Sequence, residues 1–162
     1  MIYIEAPEEL KECDRARSLF LAGGITSCPD WQFEMVTRLT STNLVLLNPR
    51  RQNFPIGNLK AAEEQITWEH NALRLATEIL FWFPKETICP IVLYELGSWS
   101  MSAKKIYVGV HPDYERRRDV EIQTRLVRPE VDIVNSIWEL ASQVRLHWDN
   151  RGSLSNSEAL VD

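Results

Sequence analysis

The sequence has no apolar run approaching the ~20 residues of a membrane-spanning helix, so no membrane span is expected. Its first residues, Met1-Ile-Tyr-Ile-Glu-Ala-Pro-Glu-Glu9, carry neither the basic segment nor the apolar stretch of a secretory signal. Positive charge is not in excess: 18 Lys and Arg stand against 23 Asp and Glu, a net charge of −5. That balance gives no electrostatic basis for binding a nucleic acid polymer. The one basic cluster, Arg116-Arg117-Arg118, is flanked by Glu115 and Asp119 and reads as a solvated face, with an anion contact as the second reading. Cysteine is sparse. Cys13, Cys28 and Cys89 form no CxxC pair and cannot all pair off, which fits free thiols in a reducing, cytoplasmic compartment. His70, His111 and His147 lack metal-ligand spacing, so no metal is expected. Neither GxGxxG nor GxxxxGK[ST] occurs, which disfavours dinucleotide and P-loop phosphate chemistry and leaves no cofactor to expect.

What is present is an alternation of strand-like and helix-like segments. The length, 162 residues, and a hydrophobic fraction of 44% suit one globular domain, and six tryptophans promise a bulky core. Ser18–Ala22 is an apolar run closed by Gly23-Gly24, a strand and a tight loop. Asp30 is placed to cap a helix that carries Trp31, Met35 and Leu39 at helical spacing. Further strands are predicted at Asn43–Leu47, Ile79–Phe83, Lys105–Val110 and Val131–Val134. Helices are predicted from about Ala61 to Ala76, Pro90 to Ser102, Asp119 to Leu126 and Ser136 to His147. This pattern implies an α/β fold: a flavodoxin-like (Rossmann-like) three-layer sandwich on a five-stranded parallel sheet. One domain is expected over residues 1–150, with a polar, frayed tail over 151–162.

Glu95 is the residue with most to explain. Pro90 suits the first position of a helix, where a missing N–H costs nothing, and Glu95 then falls in its second turn. That is above the carboxyl edge of the sheet, where open α/β folds hold ligands. An acidic side chain there is either solvated or catalytic. The same edge would gather Gly23-Gly24, Asp30-Trp31, Asn48-Pro49-Arg50-Arg51 and His111 to Tyr114, an inventory suited to a planar, polar ligand or to ordinary polar loops. On a helical wheel Ala62, Ile66, Glu69, Leu73 and Ala76 share one stripe, which puts Glu69 on an apolar face where it needs a donor. It either pairs with an arginine or backbone N–H, or reaches the cleft. Glu78, just before the third predicted strand, is either a strand-end residue or a second carboxylate near Glu95.

The blocks Leu21-Ala-Gly-Gly-Ile-Thr26, Asp30-Trp31-Gln32, Asn48-Pro-Arg-Arg51, Gln65-Ile-Thr-Trp-Glu69, Ile79-Leu-Phe-Trp-Phe83 and Glu95-Leu-Gly97 occur in this order, with Gly109, Pro112, Tyr114 and Asp119 beyond them. Together they resemble the nucleoside 2-deoxyribosyltransferase-like family over roughly residues 18 to 147. The resemblance implies that Glu95 is a nucleophile attacking C1′ of a 2′-deoxynucleoside. A covalent glutamyl intermediate then passes the sugar to a second nucleobase, or to water. It implies Glu78 as the protonating partner, standing where the family has an aspartate. The family's further aspartate shortly before the nucleophile has no counterpart in Glu86-Thr-Ile-Cys-Pro90. In such a mechanism Trp31 would stack on the base, Gly23 and Gly24 would admit a close backbone approach, and Asn48 or Tyr114 would hold sugar hydroxyls. The expected partners are a small deoxynucleoside, a nucleobase and further copies of the chain in a homo-oligomer. A deoxynucleoside 5′-monophosphate N-hydrolase using Arg50, Arg51 or Arg116 to Arg118, and a non-catalytic nucleoside- or nucleotide-binding module, are the alternatives.

Overall fold

The structure is a computed structural model that describes residues 1–10 and 17–158, with side chains through Asn150. Cys13 lies outside the described residues. Six strands, β1 (Ile2–Glu5), β2 (Ser18–Gly23), β3 (Val45–Asn48), β4 (Glu78–Phe83), β5 (Lys105–Val110) and β6 (Ile133–Val134), form one parallel sheet in the order β1-β3-β2-β4-β5-β6. Five helices, α1 (Trp31–Arg38), α2 (Leu59–Leu75), α3 (Pro90–Ser100), α4 (Arg117–Val127) and α5 (Ile137–Glu158), connect and cover it.

The expected α/β class holds, with a correction of the strand count from five to six. The added strand is β1, which joins the sheet edge beside β3 in the register Ile2↔Val45 to Glu5↔Asn48. Within those four residues only Ile4 is buried, so the segment shows too little apolar periodicity to announce a strand. Without β1 the order is the flavodoxin-like 2-1-3-4-5. The last helix also runs beyond its predicted end, past Asn150 to Glu158, where a frayed tail was expected.

Alternation along the central strands divides the core. Phe20, Ala22, Ile79, Phe81 and Phe83 face α2, α3 and α4, packing with Trp68, Val92, Leu96 and Val120. Leu19, Leu21, Leu80 and Trp82 face α1 and α5, packing with Trp31, Met35, Leu140 and Val144. Chain connections leave β2 toward β3 on one side and β4 toward β5 on the other. The gap between β2 and β4 at the carboxyl edge is therefore a topological switch point, the place where such sheets open a crevice. Among the described residues no helix is long and apolar enough to cross a membrane.

Candidate active site

A cleft of about 340 Å³ opens at that switch point. Gly23, Gly24, Ile25 and Thr26 line it from the end of β2, Thr87 and Cys89 from the loop after β4, and Ile91, Val92 and Glu95 from α3. Pro49 and Glu69 close it from the β3–α2 side. Pro90 starts α3 as predicted, and Cys89 before it adopts a left-handed conformation (φ 51°) that turns the chain sharply into the helix. Five residues on, Glu95 stands half-buried in the cleft wall.

Two carboxylates share this cavity. Burial pushes the Glu95 carboxyl up to about 8, and the neighbouring charge of Glu69 adds to the rise. Burial also raises Glu69, while a hydrogen bond from Gln65 acts in the opposite direction. Gln65 Nε2 donates to Glu69 Oε1 at 2.8 Å and to Pro49 O at 2.6 Å. Glu95 has no hydrogen-bond donor among the described residues. A carboxyl raised to about 8, as Glu95 is, holds at neutral pH a proton that an exposed glutamate would have lost. Among the described residues no three His, Cys, Asp or Glu side chains gather to hold a metal ion.

The helical-wheel stripe proposed for α2 is off by about one position. Ile66 is 66% exposed, and the buried face runs through Ala61, Trp68, Ala72 and Leu73. Trp68 anchors it by packing against Phe20 and donating Nε1–H to Glu8 O at 2.7 Å. Glu69 thus sits beside the buried stripe rather than within it, which lets its carboxylate reach the cleft.

Glu78 is corrected as the partner of Glu95. It is the first residue of β4, so the length of the strand separates it from the carboxyl edge. It is almost fully buried and is met by Tyr107 Oη at 2.8 Å, Trp148 Nε1 at 3.0 Å and His147 Nε2 at 3.1 Å. Glu69 is the second carboxylate of the cleft instead.

Five other expected contacts do not line the cleft. Asp30 caps α1, accepting from Phe33 N at 3.0 Å. Trp31 is 2% exposed, its Nε1–H given to Gly24 O at 2.8 Å, so its ring is not free to stack on a base. Asn48 is buried, donating to Tyr3 Oη at 2.7 Å and accepting from Arg50 N at 2.9 Å. Tyr114, also buried, packs on Phe83 and donates to Ile88 O at 2.6 Å, which holds the loop after β4. Arg50 fastens the β2–α1 loop: Nη1 donates to Pro29 O and Gln32 Oε1, and Nη2 to Cys28 O. Gly23 and Gly24 do line the cleft, but it is packing that requires them. A Cβ on Gly23 would meet Trp82 O at 2.6 Å, and one on Gly24 would meet Cys89 Sγ at 2.8 Å. The sequence reading missed Gln65, Thr26, Thr87 and Cys89. Of these only Gln65, one helical turn before Glu69, carried a legible signal.

No curated protein matches the chain. The model of the family described as nucleoside 2-deoxyribosyltransferase like matches residues 16–114, a narrower span than the 18 to 147 read from sequence. That match takes in both cleft carboxylates and well over half of the chain, which therefore belongs to the nucleoside 2-deoxyribosyltransferase-like family.

Proposed function

We propose that the cleft breaks and remakes the N-glycosidic bond of 2′-deoxynucleosides, with Glu95 as nucleophile and Glu69 as its proton-handling partner. The observation that carries this reading is the pair of half-buried carboxyl groups that line one crevice at the switch point. Two acids in one cleft divide their work when one holds the proton and the other the charge. Between the titration of the first and of the last proton, the latter at about 8, the pair carries one proton. The productive arrangement puts that proton on Glu69.

In the first step a Glu95 oxygen attacks C1′ as the C1′–N bond breaks. The bonding pair leaves with the base, whose nitrogen takes the proton of Glu69. The transition state is oxocarbenium-like, as in retaining glycoside hydrolysis. The cleft contributes by excluding water and by holding a carboxylate against the developing cation. A missing 2′-hydroxyl removes an electron-withdrawing group beside that cation, which favours deoxy sugars. In the second step an incoming base nitrogen attacks C1′ from the face the first base left. It gives its proton to Glu69, and the C1′–O bond to Glu95 breaks. Water in the same position gives hydrolysis.

The 5′-monophosphate reading has less support. Arg50 and Arg51 are engaged elsewhere, Arg51 with Glu64 at 3.1 Å, and Arg116 and Arg117 pair with Asp119 and Glu121. The test is incubation with a panel of deoxynucleosides and free adenine, followed by mass analysis of products and protein. The expected results are exchanged nucleosides and a protein adduct of one deoxyribosyl group, both absent in Glu95→Ala. Turnover by Glu95→Ala at the wild-type rate refutes the assignment.

A further inference from the structure

Gln65 is unusual in how its amide is used. Its two short hydrogen bonds both come from Nε2, to Pro49 O and to Glu69 Oε1. Its own carbonyl, Oε1, is buried and has no hydrogen-bond partner among the described residues. A buried carbonyl without a donor is costly, and native structures keep few of them. The reverse amide orientation is worse, because it would aim Oε1 at the Pro49 carbonyl and the Glu69 carboxyl together. The Pro49 carbonyl, a backbone acceptor, therefore locks the amide as a donor to Glu69.

We infer that Gln65 is a positioning residue for the reaction: by donating to Oε1 of Glu69 it fixes that carboxyl group and leaves Oε2 to carry the proton exchanged with the base. In the acid form Oε1 is the carbonyl-type oxygen and accepts from the amide, so the hydroxyl proton resides on Oε2. In the ionised form the same hydrogen bond stabilises the charge and makes Glu69 a stronger acid than its burial alone allows. An acid too weakly inclined to give up its proton does not release a leaving base. The groups that share the cleft with Glu69 are few. Glu95 faces it from α3, while Thr87 and Cys89 come from the loop after β4. The β2 end contributes Gly23, Gly24, Ile25 and Thr26, and the end of β3 the Pro49 ring. Burial raises the Cys89 thiol to about 11, so it stays neutral. Glu95 is thus the other acid of this lining, and Gln65 is the donor that biases Glu69.

The catalytic consequence rests on the glycosyl-transfer reading, but the bias on Glu69 does not, and the experiment separates them. Protein labelled with ¹³C at the glutamate carboxyl carbon is titrated as wild type and as Gln65→Met, with Glu69→Gln assigning the signal. The Glu69 midpoint is expected about one pH unit higher in Gln65→Met, the scale of one lost hydrogen bond to a charge. The acid limb of kcat/KM is expected to move up with it. An unmoved midpoint overturns the inference, as does an acid limb that ignores a moved midpoint. Should the wild type exchange no bases, the functional reading fails, and the midpoint alone then decides whether Gln65 sets the titration of Glu69. Should Gln65→Met fail to fold, Gln65→Asn takes its place: it keeps the amide but falls one methylene short of Glu69, and the same upward shift is expected.

Discussion

The two edges of the sheet treat a glutamate in opposite ways. At the amino edge Glu78 is buried and receives hydrogen bonds from Tyr107 and Trp148, with His147 at ion-pair distance. At the carboxyl edge Glu95 is less buried, has no donor among the described residues and faces a second carboxylate. A buried acid surrounded by donors has its oxygens satisfied and serves the architecture. An acid that is desolvated and left beside another acid is an unstable ion kept ready for a reaction. The comparison teaches that depth of burial is a poor guide to function, and that supply of donors is a better one.

The comparison breaks most decisively on activity. Glu95→Ala is expected to lower turnover on the order of 10⁴-fold, as loss of a nucleophile does. Glu78→Gln, by contrast, is expected to leave kcat/KM unchanged. A steady-state assay of both variants suffices, and equal losses would dissolve the distinction between the edges.

The next effect is on stability as pH changes. Burial raises the folded Glu95 carboxyl to about 8 from the 4.5 of an ordinary glutamate. Between those two values the folded state binds more protons than the unfolded state, so stability falls as pH rises. The contribution is fully present below about pH 4.5 and is lost as pH rises through about 8. Glu95→Gln removes this slope and is expected to be more stable than wild type above pH 8, by a few kcal/mol at most. Urea unfolding at pH 5 and pH 8.5 measures it. Glu78→Gln is expected to act in the other sense, costing about 2–3 kcal/mol, because an amide has one acceptor oxygen where the carboxyl offers two to Tyr107, Trp148 and His147.

Much of this arrangement is legible in the chain before any coordinates. Pro90 and the apolar run Ile79–Phe83 place Glu95 in the second turn of α3 at the carboxyl edge, because strand alternation and proline's missing N–H are local rules. The edge at which Glu78 lies was equally implicit, since a residue that begins a parallel strand cannot stand beside one that follows it. The roles of Trp31, Asn48 and Tyr114 were beyond reach. Whether a polar or aromatic loop side chain faces a ligand or a neighbouring loop depends on partners 7 to 45 positions away, such as Gly24 for Trp31, Ile88 for Tyr114 and Tyr3 for Asn48. No sequence pattern encodes those pairings. The assignment of Glu69 to an apolar stripe failed by about one residue on the helical wheel, where a single large side chain, Trp68, decides which face is buried.

The smallest expected effect sharpens the comparison most finely, because it sets two tyrosines against each other. Tyr114 Oη donates to Ile88 O at 2.6 Å near the carboxyl edge, and Tyr107 Oη donates to Glu78 Oε2 at 2.8 Å at the amino edge. Both hydroxyls belong to buried residues, so Tyr114→Phe and Tyr107→Phe are each expected to cost about 1 kcal/mol or somewhat more. Their kinetic signatures should differ. The carbonyl that Tyr114 holds belongs to the loop that carries Thr87 and Cys89 into the cleft wall. Loosening that loop weakens binding of ground and transition states alike, so KM is expected to rise a few-fold with kcat unchanged. Tyr107→Phe loosens nothing that lines the cleft, and both constants are expected to stay at wild-type values. A matched rise in KM for the two variants would mean that the amino edge communicates with the site through the sheet, and donor supply would then no longer separate architecture from chemistry.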